Sequence, residues 1–286
     1  MPELAGKIAV VTGGTRGLGL AIAQAFAAEG AAVFVGSRSA QAVESAVAGL
    51  SSGGARAGWA QVEVSRLDEV ERLAASAVKA FGRIDIWVNN AGMAGPFGPT
   101  LDLAPDTFHQ VVQTNIIGVY HGSRAALSYF QAQGAGKLIN LLGHGYKGPV
   151  PWQNAYASSK AWVRSFTLAL AEETKGTGVG VYAFNPGMVL TDLLTDVEVV
   201  GGSEERLRRF PVVLRMWAKP PGLAARKAVW LASSATDGKS GLLLNLNSPW
   251  TMLGGAAREG LRALFHRPAQ PIDLNMSTIP PYRGQT

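Results

Sequence analysis

Short apolar runs, many of them β-branched, alternate with longer alanine-rich segments along most of this chain. The runs fall at Lys7–Thr12, Ala32–Gly36, Ala57–Val62, Ile84–Asn90, Lys137–Leu142, Gly178–Phe184 and Leu242–Leu246. Several are apolar at odd and even positions alike, the pattern of strands covered by helices on both faces. Between them, apolar residues at helical spacing predict helices over Leu18–Glu29, Ala40–Leu50, Leu67–Phe81, Pro105–Gln133, Ala155–Thr174 and Gly222–Ser233. Strand and helix in alternation make βαβ units, so the expected class is α/β, a doubly wound parallel sheet of seven strands. Neither a flexible linker nor an internal repeat interrupts the pattern, and one domain is expected over residues 1–250. Residues 251–286 are expected to form a C-terminal helix and an irregular tail, which carries Pro268, Pro271, Pro280 and Pro281.

Composition fits a well-filled core, with 47% hydrophobic and 16% charged residues. No apolar stretch approaches the about 20 residues of a spanning helix. The start, Met1 to Lys7, lacks the charge and apolar core of a secretion signal, so a cytoplasmic protein is expected. The absence of cysteine removes disulfides, thiolate nucleophiles and cysteine metal sites together. The histidines, at 109, 121, 144 and 266, have no metal-ligand spacing, and no metal is expected. A net charge of +6 raises nucleic acid or an anionic surface as partners. The basic residues are dispersed, however, and the densest cluster, Arg206-Leu207-Arg208-Arg209, follows Glu204-Glu205 and reads as a solvated helix face. No nucleic-acid partner is expected.

The first run ends in Thr12-Gly13-Gly14-Thr15-Arg16-Gly17-Leu18-Gly19, and a helical segment opens directly after it. Glycines there permit a tight turn and close approach of backbone N–H groups to a pyrophosphate, with the helix dipole assisting. Sites for a nicotinamide dinucleotide lacking the 2′-phosphate usually place an acid about 20 residues further on. Here the second run ends Val35-Gly36-Ser37-Arg38 with no acid. A guanidinium pairs with a 2′-phosphate where a carboxylate would repel it, and Arg16 lies within reach of the same group, so NADP(H) is the expected cofactor.

Two further motifs follow, Asn89-Asn90-Ala91-Gly92 and Tyr156-Ala157-Ser158-Ser159-Lys160. The second places Tyr156 and Lys160 one helical turn apart. A phenol of pKa about 10 is a poor acid–base group at neutral pH, and an adjacent ammonium favours its phenolate. Together these motifs, over about residues 5–248, resemble the short-chain dehydrogenase/reductase family. The resemblance implies a Rossmann-type fold and an NADP(H)-dependent oxidoreductase acting on a small-molecule carbonyl or alcohol. Tyr156 would be the general acid of reduction. Lys160 would hold the nicotinamide ribose and lower the tyrosine pKa, and Asn115 would order a water behind that lysine. Cofactor contacts are implied for Gly13, Thr15, Arg16, Gly17, Leu18 and Gly19, then for Ser37, Arg38, Glu63 and Val64. Asn90, Ala91 and Gly92, Tyr156 and Lys160, and Pro186, Gly187, Val189 and Thr191 complete the set. Glu63 stands where the family commonly has an aspartate on the adenine amino group, so that contact is expected to be longer or rearranged. Pairing through the two long helices flanking strands four and five implies a homodimer or homotetramer.

One family position departs. The catalytic serine, thirteen positions before Tyr156, is Gly143. Removing such a donor costs ~3 kcal/mol of transition-state stabilisation. Three explanations stand open. Another side chain takes over, with His144 the leading nominee and Tyr146 and Gln153 the others; or the substrate polarises its own carbonyl; or the chain binds nucleotide without catalysis, as a sensor or scaffold. Intact Asn115, Tyr156 and Lys160 argue against the last. The pattern Asn140-x-x-Gly143-x-Gly145, with Pro186-Gly187-Met188-Val189-x-Thr191-Asp192-Leu193-Leu194, resembles the chlorophyll(ide) b reductase branch, whose members reduce a tetrapyrrole formyl group.

Substrate contacts in such a fold come from beyond the C-terminal ends of the strands, which makes 191–221 the expected lid. Leu193, Leu194, Phe210, Val213, Leu214, Met216 and Trp217 give it apolar surface, and Met93, Trp152 and Met188 are expected to face the same cleft. A bulky apolar or aromatic carbonyl is therefore expected. In the tail, Leu253, Ala257, Leu261, Leu264 and Phe265 form a stripe near Arg258, Arg262 and Arg267. The stripe is expected to pack on its own domain or a subunit neighbour, the alternative being a membrane-surface contact through 253–267.

Overall fold

The computed structural model describes residues 2–247, 249–266, 268–269 and 271–283. In chain order the first half runs β1 (Ile8–Thr12), α1 (Gly17–Ala28), β2 (Ala32–Ser37), α2 (Ala40–Ser52), β3 (Ala57–Gln61), α3 (Leu67–Phe81) and β4 (Ile86–Asn89). It continues through α4 (Pro105–Val112), α5 (Gly118–Gln133), β5 (Gly136–Leu141), α6 (Asn154–Glu173) and β6 (Val179–Asn185). The remainder is α7 (Asp192–Thr195), β7 (Asp196–Val200), α8 (Glu204–Leu207), α9 (Phe210–Trp217), α10 (Pro221–Ala232), β8 (Leu242–Asn245), α11 (Pro249–Leu264) and β9 (Asn275–Ile279). The expected strands and helices are all present, with shifts of one or two residues at their ends.

Seven parallel strands form one sheet in the order β3-β2-β1-β4-β5-β6-β8. Because successive strand residues point to opposite faces, each strand feeds two cores. Ala9, Val11, Val33, Val35, Ile86 and Val88 pack with Ile22 and Phe26 of α1 and Ala228 of α10. The residues between them, Val10, Phe34 and Trp87, join Leu73 of α3 and Phe130 of α5 on the other face. The winding reverses between β1 and β4, and their C-terminal ends part there to open a crevice.

Three features differ from the sequence pattern. The helix expected over Pro105–Gln133 runs without interruption but widens to a π-helical turn at Gln113–Ile117. Its widened turn carries Asn115 fully buried toward the loop after β4, a common use of such bulges. The tail is not irregular throughout, since β9 pairs in parallel with β7 from Asp196↔Asn275 to Val200↔Ile279. A strand of the presumed lid is thus completed by the tail.

The stripe on α11 does not pack on its own domain. The opposite face of that helix lies on α9, where a Cβ on Gly255 would overlap the Met216 carbonyl and Trp217 Nε1 donates to the Met252 carbonyl at 3.0 Å. Leu253, Ala257, Leu261, Leu264 and Phe265 remain exposed, while Arg267 and Ser248 lie outside the described residues. Among the described residues no helix is long and apolar enough to cross a membrane.

Pairing of β9 with β7 yields a direct expectation. Deleting residues 271–286 strips β7 of its ladder partner while leaving the seven-stranded sheet intact. Trypsin should then cut at Arg206, Arg208 or Arg209 severalfold faster, as expected of a locally loosened segment. Unchanged cleavage kinetics would show that β9 contributes nothing to the order of this segment.

Candidate active site

The crevice is built from the strand ends upward. Gly13 has φ +64, and a Cβ there would lie 2.9 Å from Ala91 Cα. On Gly19 a Cβ would overlap the Gly13 carbonyl and the Asn90 amide. Glycine is thus required by conformation at the first position and by space at the second. Asn90 Nδ2 donates to the carbonyls of Thr12 and Gly13, each at 3.0 Å, and the N–H groups of Asn90 and Ala91 donate to Thr12 Oγ1. These bonds clip the phosphate loop to the end of β4. Helix α1 begins at Gly17 without a side-chain cap, so its first-turn N–H groups are free of side-chain competition for an anion.

At the adenosine end, Thr15 Oγ1 lies 3.5 Å from Ser37 Oγ, which joins the loop to the end of β2. Arg38 Nε stands 4.0 Å from Glu63, and Arg16 Nη1 is 3.2 Å from Asp192. Both guanidiniums are thus already paired with an acid, a feature the sequence did not reveal. Each remains mostly exposed, and such surface pairs hold weakly. Val64 is buried against Gly118, where a Cβ would lie 2.6 Å from Val64 Cγ2. Leu18, in the first turn of α1, packs against the core.

On the opposite wall, Gly187 has φ +75 and its N–H donates to Asn185 Oδ1 at 3.2 Å. Val189 is buried in the core. Thr191 reaches across to the phosphate loop, where its Cγ2 would be 3.2 Å from a Cβ on Gly17. The 186–191 segment therefore faces the loop over the crevice.

Tyr156 and Lys160 sit one turn apart on α6, with Lys160 Nζ 5.6 Å from the tyrosine ring centroid. That ammonium donates to the Leu141 carbonyl at 3.0 Å. Burial holds Lys160 down to about 8 and pushes Tyr156 up to about 12. The expectation that Lys160 lowers the tyrosine pKa is therefore not met in the protein alone. Loss of hydration around the phenol outweighs the attraction of an ammonium turned toward a backbone carbonyl. Asn115 is brought close as expected but is fully engaged: Oδ1 accepts from Met93 N–H at 2.9 Å, and Nδ2 donates to the Met93 carbonyl and to Ser159 Oγ. Gly92 lies beside it, a Cβ there falling 3.3 Å from Asn115 Oδ1 and 3.8 Å from Lys160 Nζ.

The nominated replacements for the serine fare differently. His144 is exposed, because its side chain leaves the strand end toward solvent. Tyr146 is buried, but in an apolar cluster with Val119, Leu142, Val163 and Ala183. Only Gln153 lines a cavity shared with Tyr156, alongside Thr107, Phe108 and Val111. Trp152 has φ +63, a strained conformation for a bulky residue, and Arg206 stacks 4.0 Å over its ring. Arg206 is thus more than part of a solvated face. Met216 and Trp217, expected toward substrate, meet α11 instead.

The short chain dehydrogenase family model matches residues 7–199. The chain belongs to the short-chain dehydrogenase family. Membership places it among oxidoreductases, in agreement with the crevice geometry. This short-chain dehydrogenase is 35% identical over 193 residues to a putative ketoacyl reductase of Streptomyces coelicolor, covering 67% of this chain and 74% of that one. It is 32% identical over 255 residues to 3beta-hydroxysteroid dehydrogenase 1 of Eggerthella lenta, covering 88% and 97%. A probable chloroplastic chlorophyll(ide) b reductase of Arabidopsis thaliana is 34% identical over 226 residues, 72% of this chain. The match spans only 45% of that relative's length. Among solved structures, a variant of actinorhodin polyketide ketoreductase with NADPH superposes with TM-score 0.76 at 29% identity, covering 84% of this chain and 95% of the other. The 3-ketoacyl-(acyl-carrier-protein) reductase of Brucella melitensis, complexed with NADH, gives 0.77 at 28% identity, covering 87% and 99%.

The low lysine pKa has a consequence for stability. Lys160 titrates near 8 when folded and near the ordinary lysine value of 10.5 when unfolded. Between those values the unfolded chain binds more protons, so stability rises with pH across this window. Below about 8 the burial penalty is fully present, roughly 3 kcal/mol from the shift. Denaturant midpoints of Lys160→Met should lack the part of the rise seen in wild type from pH 8 to 10. Parallel profiles for the two proteins would show that Lys160 is charged without cost.

Proposed function

We propose that this short-chain dehydrogenase is an NADP(H)-dependent reductase of a bulky apolar or aromatic carbonyl, with Tyr156 as general acid. The observation that carries this reading is the juxtaposition of Tyr156 and Lys160 at the crevice whose other end is the uncapped helix α1. The glycine cradle fits a dinucleotide, since glycines at 13 and 19 let the loop fold tightly onto the end of β4 and the first-turn N–H groups of α1 face no side-chain cap. Gly13, Thr15, Arg16, Gly17, Leu18 and Gly19 would hold the phosphates, and Ser37, Arg38, Glu63 and Val64 the adenosine end. Asn90, Ala91, Gly92, Pro186, Gly187, Val189, Thr191 and Lys160 would hold the ribose and carboxamide. When bound, the dinucleotide supplies a hydride. Tyr156 stays protonated throughout the neutral range, held at about 12 by burial, and gives its proton to the carbonyl oxygen. Lys160, fixed on the Leu141 carbonyl, orients the ribose and supports the charge left on the phenol. Asn115 positions the Gly92–Met93 turn beneath it.

The named substrates of the relatives, from ketoacyl chains to steroids and tetrapyrroles, leave the carbonyl open. The apolar lid of 191–221, within a domain of residues 1–250, supports a bulky one, and a tetrapyrrole formyl group belongs in the substrate panel. Pairing into a homodimer or homotetramer is supported by the aromatic surface of α5 and α6, where Trp162 stacks on Phe166 at 4.6 Å and exposed Tyr120 adjoins it. Gly143 favours a second reading, a nucleotide-binding scaffold. That protein would shift NADPH fluorescence without consuming NADPH on any carbonyl.

The solved neighbours carry NADPH in one case and NADH in the other, so the fold alone does not choose between them. Arg38 supports the phosphorylated form. Arg38→Ala should weaken NADPH binding by an amount equivalent to ~1.5–3 kcal/mol and leave NADH binding unchanged, because only the former carries the 2′-phosphate. Glu63→Gln should raise the preference for NADPH over NADH when both are titrated, because it frees Arg38 and removes a negative charge beside the 2′-phosphate. Any loss of an adenine contact would affect both cofactors alike. Equal wild-type affinities for the two cofactors in a fluorescence titration would remove the assignment.

Tyr156→Phe should keep NADPH affinity and lose ~10²–10⁴ in turnover. Reduction by wild type should be level below pH 8 and fall as Lys160 loses its proton near that value, well before Tyr156 ionises. Turnover by Tyr156→Phe near the wild-type rate would refute the proton-transfer role.

A further inference from the structure

The backbone at Gly143 lies outside the left-handed region, unlike that of Gly145 at φ +93, so its conformation does not call for glycine. Space does. A Cβ at 143 would overlap the Tyr156 hydroxyl, and would lie 3.0 Å from Tyr156 Cζ and 3.4 Å from Lys160 Cγ. We infer that Gly143 is the positioning residue of Tyr156: lacking a side chain, it seats the tyrosine hydroxyl in the volume where a serine would begin, and the reacting oxygen takes both its hydrogen bond and its proton from Tyr156.

The seat is rigid on both sides. Leu142 N–H donates to the Phe184 carbonyl at 2.8 Å, and Lys160 Nζ binds the Leu141 carbonyl at 3.0 Å, so the strand end cannot withdraw from a new side chain. Helix α6 is held by Ser159 Oγ, which donates to the Tyr156 carbonyl at 2.6 Å and accepts from Asn115 at 3.0 Å. What yields to a larger residue at 143 is the tyrosine ring. It would swing toward the cavity lined by Gln153, Thr107 and Phe108 and carry the hydroxyl away from the strand end. His144 lies in solvent, and the buried Tyr146 hydroxyl, which makes no hydrogen bond, sits with its ring in the cluster of Val119, Leu142, Val163 and Ala183 rather than in the cavity that Tyr156 lines. In the reaction the Tyr156 O–H bond breaks as the product O–H bond forms, and the phenolate recovers a proton from Lys160 or water.

The catalytic half of this inference rests on the reductase reading, whereas the seat does not. A thermal double-mutant cycle therefore tests the seat without any turnover. Gly143→Ala should lower Tm by about 5 °C through overpacking, and by less than half as much in a Tyr156→Phe background, where the overlapping hydroxyl is gone. Equal losses in both backgrounds would overturn the seat. In steady-state kinetics on one accepted aldehyde, Gly143→Ala and Gly143→Ser should each lose about 10²-fold in kcat, the scale of a misplaced reacting group, with NADPH affinity within about twofold. Gly143→Ser matching or exceeding wild type would overturn the inference. So would a loss in Gln153→Ala as large as that in Gly143→Ala, which would move the second hydrogen bond to Gln153. Thermal coupling together with a fully active Tyr156→Phe would keep the seat and refute the catalytic reading built on it.

Discussion

The side-chain amide of Asn90 bonds the carbonyls of Thr12 and Gly13 at 3.0 Å, and the rest of the crevice is hung from that clip. It joins the ends of β1 and β4, where the sheet reverses its winding and neighbouring loops would otherwise diverge. From Asn90 the chain passes through Ala91 and Gly92 to Met93, whose backbone is gripped from both sides by Asn115. Asn115 in turn bonds Ser159, which bonds the carbonyl of Tyr156. Hydrogen bonds and the short backbone stretch from Asn90 to Met93 thus link the phosphate loop to Tyr156. Buried polar groups that are this fully satisfied resist displacement, and they fix the spacing between the two ends of a long ligand.

At the catalytic end, burial and charge oppose each other. Lys160 is nearly enclosed, which disfavours its ammonium, and the same enclosure disfavours the tyrosinate. Each effect suits the reduction proposed above at neutral pH: a phenol that retains its proton and an amine close to its own titration. Oxidation in the reverse direction would need the phenolate, which the surroundings do little to stabilise. The asymmetry follows from hydration more than from the charge pair itself.

The substrate side is assembled from distant parts of the chain. Strand β7 is flanked by Phe97, through an isolated bridge to Val199, and by β9 from the tail. Arg206 of α8 stacks on Trp152, the residue before Gln153 and close to the start of the Tyr156 helix. The strain of Trp152 at φ +63 is held in place by its neighbours, with Phe97 at 6.2 Å on one side and the guanidinium on the other. Arg206 of α8 and Phe97 therefore meet at one aromatic ring, two residues before α6 opens at Asn154.

Alternating apolar runs and glycine placement determined the seven-stranded order-forming elements, the phosphate loop and the Tyr156–Lys160 pair, because these rest on local periodicity and spacing. The widened turn at Asn115 was not legible, since its sequence is helical and the partner it engages, the Met93 backbone, is distant. The same holds for β9, whose partner lies in the lid, and for the outward stripe of α11, whose inner face was set by close approach of α9 at Gly255. The two arginines stood out in sequence, but their acidic partners Asp192 and Glu63 became visible only when the chain folded. Most telling is Gly143, which in sequence is an absence and in three dimensions is the space taken by the tyrosine hydroxyl. Local pattern specifies what a segment becomes; steric exclusion and burial between remote segments decide where its side chains finish and how readily they ionise.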